Sequence, residues 1–326
     1  MDYVNLGRSG LKVSRLCLGT MSYGTSAWRP WVLDEPQSRE VLKRALDHGI
    51  NFFDTADFYS HGVSEEVVGR ALKDFAGRHE VVIATKVFYP IERHANAGGL
   101  SRKHIMEAIE GSLRRLGTEF IDLYQIHRFD PHTPVEETLE ALHDLVKAGK
   151  VRYIGASSMF AWQFARMIYT QRMRGLVEFV SMQNHYNLIY REEEREMNPF
   201  CRAEGIGVLP WSPLARGFLA GNRQRGRRDA TLREQHDAYG HGLYYTEADY
   251  AIADIVTQLA AAKGVRPIQV ALAWILQQPG ITAPVVSVTK AEQLDGLVEG
   301  LQVRLTGDEV ARLEAPYQPH PILGHE

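Results

Sequence analysis

Cysteine is scarce in this 326-residue chain: Cys17 and Cys201 are its two thiols, and they sit in neither a CxxC nor a metal-ligand spacing. A disulfide framework and a thiolate metal site are thereby excluded as the organising feature, and two reduced thiols are expected. Net charge is small, −3 with a sequence pI near 6.5, so a nucleic-acid or membrane-surface partner, which would favour a basic face, is not expected. No apolar run approaches the roughly 18 residues of a membrane helix. The opening MDYVNLGRSG lacks the apolar core of a signal peptide. A cytoplasmic protein is the expectation. A Pro/Gly/Ser linker, a shift in composition and an internal repeat are also missing, so one domain over residues 1–326 is expected.

What is present is alternation. Short apolar runs rich in β-branched residues are followed, again and again, by segments of helical period. Tyr3 to Val13, with Gly7 and Gly10 inside it, reads as a small hairpin. Strands are then expected at Arg15–Gly19, Ile50–Thr55, Glu80–Val87, Phe120–His127, Val151–Ala156, Phe179–Asn184, Gly207–Trp211 and Ala283–Val288. The intervening helices fall near Gln37–His48, after Ser64 as an N-cap, and over Ser101–Leu116, Pro134–Ala148, Ala161–Met173 and Arg191–Glu204. Further helices are expected at Glu247–Lys263, Pro267–Gln278 and Lys290–Gly300, with a last one at Gly307–Glu314, capped by Thr306, outside the repeat. This count and length suit an α/β protein of the (β/α)8 TIM-barrel class, with an N-terminal hairpin and an extra C-terminal helix. A doubly wound sheet is the weaker reading, because the first strand–helix junction, GTMSYGTSAW, has no GxGxxG turn.

The stretch Ala215–Tyr245, with GNRQRGRRD inside it, is irregular and basic. A solvated loop and a basic lid over an anionic ligand are both consistent with its charge. Its place after a barrel strand favours the lid, because such loops lie on the catalytic face.

Active sites in these barrels are built at the C-terminal ends of the strands. The polar groups expected there are Asp54 and Tyr59 after strand two, Lys86 at the end of strand three and His127 at the end of strand four. Taken singly, each has an ordinary structural explanation: a packing tyrosine, a turn-forming aspartate, a structural histidine. Lys86 is the hardest to explain that way, since a lysine on an apolar strand needs a partner when buried, and Asp54 is the natural one. Together they suit carbonyl reduction, which needs a hydride on carbon and a proton on oxygen. Tyrosine is a weak acid, with a pKa of about 10 in peptides, and a nearby ammonium favours its phenolate. A histidine beside it would orient the substrate oxygen. No metal is required.

The motifs FFDTADFY, IATKV and LYQIH resemble the Asp–Tyr–Lys–His tetrad of the aldo-keto reductases, and the resemblance runs from about Tyr3 to the last helix. It implies a (β/α)8 barrel, NADP(H), and hydride transfer to small aldehydes or ketones. It implies Tyr59 as general acid, Asp54 and Lys86 as its tuners, and His127 as the orienting group. Gly19, Thr20 and Met21, at the first strand–helix junction, are expected to touch the cofactor. SMQNHYN resembles the segment in which a glutamine, here Gln183, meets the nicotinamide carboxamide; IGASS puts Ser157 and Ser158 beside it, where many members have Asn at the second position. In LPWSPLARGFLAG, Trp211 takes the stacking position where Tyr is common, and Ser212, Leu214, Arg216 and Gly217 would follow the pyrophosphate. VSVTKAEQL resembles the adenosine-phosphate segment, with Ser287, Thr289, Lys290 for a 2′-phosphate and Gln293 near adenine; Leu297 replaces a frequent Asn. A pocket wall of Trp28, Trp31, Phe58, Phe88 and Phe129 would suit apolar or aromatic carbonyl compounds. The flanks resemble the branch holding aryl-alcohol dehydrogenase-like reductases and potassium-channel β-subunit-like proteins, so an NADP-binding redox-sensing subunit is the second reading. Barrel hydrolases are the third. A glycosidase would have to use Asp54 and Asp57 from one loop, and His127/His132 or His236/His241 lack the carboxylate of a metal site. Monomer and homo-oligomer both stay open.

Overall fold

The computed structural model describes residues 1–223, 225–226 and 231–325. Two short strands, β1 (Tyr3–Asn5) and β2 (Lys12–Ser14), pair antiparallel as the expected hairpin. Eight parallel strands follow: β3 (Cys17–Gly19), β4 (Phe52–Asp54), β5 (Val82–Val87), β6 (Ile121–Ile126), β7 (Val151–Ser157), β8 (Ser181–Gln183), β9 (Gly207–Val208) and β10 (Val285–Val286). They are hydrogen-bonded in the order β10-β3-β4-β5-β6-β7-β8-β9. The ring closes between its last two members, where Thr282 N–H donates to Val208 O at 2.9 Å and Val285 N–H to Pro210 O at 2.8 Å. The fold is therefore a (β/α)8 barrel.

Alternation along the strands divides the interior from the outer shell. Cys17, Phe52, Ala84, Leu123, Leu209 and Ala283 face inward and form one apolar cluster, to which Leu6 and Val13 of the hairpin segment belong. The hairpin thus plugs the N-terminal end of the barrel. Gly7 makes this approach possible: its φ is +57°, and a Cβ there would lie 2.7 Å from Gly205 O, Gly207 N and Val180 O. The alternate residues, such as Phe53, Ile83, Tyr124 and Ile126, pack outward under the helices in the larger core.

Helices alternate with these strands. α1 (Glu35–Asp47) begins two residues before the expected start, because the Asp34 carboxylate accepts from Gln37 N–H and Gln37 reaches back to Asp34 N–H. α2 (Val63–Phe75) is not capped by Ser64, as expected from the sequence. Ser60, His61 and Gly62 all turn through positive φ, so the helix starts at Val63. Ser64 lies inside it and donates to Thr20 O at 3.0 Å, tying the helix to the barrel rim. α3 (Arg102–Leu116), α4 (Val135–Lys147) and α5 (Ala161–Arg174) follow the expected spans. The helix expected at Arg191–Glu204 is shorter: α6 covers Met197–Glu204, after a single 3-10 turn at Glu192–Glu194. Glu192 there accepts from Tyr317 OH at 2.7 Å and His320 N–H at 2.9 Å, so its carboxylate serves the C-terminal segment.

The irregular stretch contains two short helices, α7 (Leu232–His236) and α8 (Ala238–Leu243). Within GNRQRGRRD, Gln224 and Arg227–Asp229 lie outside the described residues, as does Ala230. α9 (Glu247–Lys263), α10 (Pro267–Gln277) and α11 (Ala291–Gly300) complete the shell, and α12 (Gly307–Glu314) packs outside it on α9. Among the described residues no single helix is long and apolar enough to cross a membrane.

Candidate active site

At the C-terminal end of the barrel opens a cavity of about 920 Å³. β4, β5 and β6 lie side by side, with Asp54 paired to Ala84 and Lys86 to Gln125. Period two therefore turns Asp54, Lys86 and Gln125 inward on neighbouring strands. Lys86 is fully buried, and its Nζ donates to Asp54 Oδ1 at 2.5 Å, Thr55 O at 2.8 Å and Tyr59 OH at 3.1 Å. Burial opposes the ammonium charge, but Asp54 and Tyr59 more than offset it and the pKa of Lys86 is raised. Asp54 spends its other oxygen on two amides: Gln125 Nε2 and Gln183 Nε2 each donate to Oδ2 at 2.9 Å. The carboxylate is held by an ammonium on one side and two amides on the other, which satisfies a buried charge.

His127 follows β6. Its ring meets Tyr59 edge-on at 5.9 Å and Tyr89 at 5.0 Å between centroids. Burial first, then the positive charges of Lys86 and Arg128, push its pKa well below the histidine range. The imidazole is neutral at physiological pH, and its Nδ1 has no hydrogen-bond partner among the described residues. Asp54, Tyr59 and His127 line the cavity; Lys86 stands behind them and reaches it through Tyr59.

Opposite these groups lie two sets of backbone that suit an anion. Between Ser212 and Gly217 the chain turns through positive φ at Ser212 (51°), Ala215 (47°), Arg216 (55°) and Gly217 (91°), a geometry that gathers N–H groups into a concave nest. α11 points its N-terminus at the same cavity, with Lys290 at the N-cap. Gln293 Oε1 accepts from Thr289 N–H at 3.0 Å and Lys290 N–H at 3.2 Å, closing that helix start. Over the nest, Arg216 pairs with Asp237 at 2.5 Å, Arg233 shares Asp237 at 3.2 Å, and Arg223 meets Glu234 at 3.2 Å. These donors fit the phosphates of a dinucleotide.

Trp211 lines the cavity and has His185 stacked against it at 4.1 Å and 11°; Tyr190 covers the other face of that histidine at 4.0 Å and 11°. Trp211 Nε1 donates to Ser158 Oγ at 2.8 Å, so the indole plane is held by both stacking and a hydrogen bond.

A model of the Aldo/keto reductase family matches residues 15–318. The chain belongs to the aldo-keto reductase family. Versiconal hemiacetal acetate reductase of Aspergillus parasiticus is 46% identical over 344 residues, covering 99% of this chain and 98% of that protein. An aldo-keto reductase of Metarhizium robertsii is 42% identical over 351 residues, covering 100% of this chain and 93% of its own length. Another from Alternaria alternata is 43% identical over 350 residues, with 99% and 93% covered. As an aldo-keto reductase the chain is an oxidoreductase, from a family that works with nicotinamide cofactors.

In this aldo-keto reductase the cavity gathers most of the residues singled out from sequence. Gly19, Thr20, Met21, Trp28, Trp31, Phe58, Ser157, Gln183, Ser212, Leu214, Arg216, Gly217, Ser287, Thr289, Lys290 and Gln293 all line it. Ser158 is one layer back, holding Trp211. Phe88 and Phe129 are not in the lining. Phe88 turns to the core beside Tyr89, and Phe129 packs against Trp162. Period two would carry Phe88 and Phe129 inward from Lys86 and His127, but the strands end at Val87 and Ile126 and the loops break the alternation, so Tyr89 and Arg128, their sequence neighbours, line the cavity instead. Gln125 is a further member of the site that sequence reasoning missed. Its signal lies in LYQIH, where period two puts it on the same face as His127. Arg29 and Arg223 line the cavity from loops, and Arg233 and Tyr239 from the short helices α7 and α8, where too few residues repeat for a period to mark an inward face.

Proposed function

We propose that this aldo-keto reductase transfers a hydride from NADPH to aldehydes or ketones, with Tyr59 as the general acid. The observation that carries this reading is the Lys86 ammonium 3.1 Å from the Tyr59 hydroxyl, locked in a buried pair with Asp54. NADPH, when bound, supplies the hydride. Residues at the Ser212–Gly217 nest, Arg216 and Lys290 would hold its phosphates, with Gln183, Ser157 and Trp211 at the nicotinamide end. Lys290 at the start of α11 favours a 2′-phosphate and so NADP over NAD.

The neutral His127 imidazole orients the substrate oxygen toward Tyr59. Tyr59 then gives its hydroxyl proton to that oxygen. The phenolate left behind is stabilised by Lys86, whose charge Asp54 keeps in place. Gln125 and Gln183 hold Asp54, so the whole line is preorganised before substrate arrives. Trp28, Phe58 and Tyr89 exclude water around the reacting oxygen and suit a planar, apolar substrate body.

The glycosidase alternative loses its second carboxylate. Asp57 is buried, outside the cavity lining, and burial pushes its pKa well up. The test is NADPH oxidation with aromatic and aliphatic aldehydes, followed by absorbance, for wild type and Tyr59→Phe. Turnover should fall by about 10²- to 10⁴-fold in the variant, with NADPH binding unchanged. Turnover surviving that change removes Tyr59 as the acid. NADPH binding with no turnover of any aldehyde by wild type would favour the redox-sensing reading.

A further inference from the structure

The cavity carries more positive charge than its own carboxylates balance. Among the described residues, the acids in its lining are Asp34, spent on capping α1, and Asp54, spent on Lys86. Of the guanidinium groups in the lining, Arg216 and Arg233 are held by Asp237, Arg223 by Glu234, and Arg128 donates to His127 O at 2.6 Å. Arg29 differs. It is half-buried, and its side chain makes no hydrogen bond or ion pair with any described residue. It lies on aromatic rings, its Cζ 4.3 Å from the centre of Trp28 and 5.5 Å from that of Trp31. Trp28 in turn faces Phe58 at 5.8 Å and Tyr59 at 6.4 Å. Arg29 is therefore one ring removed from the proposed acid, on the aromatic wall where the substrate body would lie.

A guanidinium has five N–H donors in a planar fork that matches a carboxylate, and stacking on indole holds the fork without using those donors. Leaving them unpaired in a half-buried site has a desolvation cost that a ligand anion would remove. We propose that Arg29 is a specificity-determining residue and that the preferred substrates are aromatic aldehydes or ketones bearing a carboxylate. This rests on the carbonyl-reductase reading above and deepens it. The carbonyl meets Tyr59 and His127, the ring lies along Trp28 and Phe58, and the carboxylate is taken by Arg29.

The test compares 2-, 3- and 4-formylbenzoate with the matching formylbenzamides, which have nearly the same shape and no charge. In wild type at least one formylbenzoate should exceed its amide in kcat/KM by about 10- to 100-fold, the range of a charge-assisted pair. Arg29→Gln should abolish that gap through KM, leaving kcat for the amides and KM for NADPH unchanged, and Arg29→Lys should restore part of it. Wild type that reduces the amides as well as the acids overturns the proposal and leaves the reductase reading intact. An Arg29→Gln variant that loses NADPH affinity but keeps its preference for acids places Arg29 on the cofactor and also overturns it. If nothing is turned over, the reductase reading fails. Quenching of tryptophan fluorescence by formylbenzoate against formylbenzamide then decides the Arg29 assignment: equal binding overturns it, and selective binding lost in Arg29→Gln upholds it.

Discussion

Replacing Lys86 with methionine keeps the volume and removes the charge. The ammonium has no solvent exposure, and it donates to Asp54 at 2.5 Å, Thr55 at 2.8 Å and Tyr59 at 3.1 Å. Asp54, 2% exposed, would be left with two amide donors, both on Oδ2. Breaking a buried pair from one side costs about 3–5 kcal/mol, because the remaining charge is stranded. Adding Asp54→Asn removes that charge and keeps an acceptor for Gln125 and Gln183. The double variant should therefore recover at least about 1 kcal/mol over Lys86→Met, a coupling within the range for residues in contact. Urea unfolding at neutral pH, followed by circular dichroism, reads both quantities. The pH dependence has a definite sign. Burial opposes the lysine charge, but Asp54 and Tyr59 raise its folded pKa above the unfolded value. Its stabilisation is complete at neutral pH and is lost only as pH rises through that raised value. A Lys86→Met variant losing under about 1 kcal/mol, or a double variant less stable than the single, would refute the account of a charge pair that holds itself.

Lys290→Ala should weaken NADPH by about tenfold and leave NADH unaffected, since only NADPH has a 2′-phosphate; titration with both cofactors checks it, and equal losses would remove Lys290 from that role. Gly7→Ala places a Cβ 2.7 Å from three backbone atoms at positive φ, so stability should fall by about 1–3 kcal/mol; an unchanged thermal midpoint would show that the hairpin yields. His320 lies 3.2 Å from the buried carboxylate of Asp249, and that contact raises its pKa against the burial that opposes it, with Glu192 adding negative charge. The C-terminal segment should be anchored below the usual histidine pKa of about 6.5 and loosen as pH rises through the folded value. Hydrogen exchange of residues 316–325, corrected for intrinsic rates, reads this, and greater protection at high pH would contradict it.

Much of the fold is legible along the chain because barrel strands and helices are local objects. Ile50–Thr55 and Phe120–His127 announce themselves by β-branched and aromatic runs, and Ser101 and Thr306 by their capping chemistry. Strand order follows from sequence order, since each strand–helix unit packs beside the last. The inward face of a strand is readable too, which is why Asp54, Lys86 and His127 stand out from the residue pattern alone. Ser64 shows where this stops. Its hydroxyl suits a helix cap, yet it bonds to Thr20 O at the end of another strand, and the helix starts elsewhere.

Only the tertiary structure decides which loop residues reach the cavity. Phe88 and Phe129 read as well as Tyr89 and Arg128 for a pocket wall, because a loop has no period to assign a face, and closure of the barrel chose between them. The same holds for charge. Arg29, Arg216, Arg223 and Arg233 are equally basic as letters, but Asp237 and Glu234 neutralise three of them and leave Arg29 on its tryptophans. The chain by itself determines the barrel, the tetrad and their order, all set by short-range pattern. The carboxylates that hold Arg216, Arg223 and Arg233 come from the same stretch of chain as those arginines, whereas Arg29 comes from the loop after β3, and only folding sets the two stretches over one cavity.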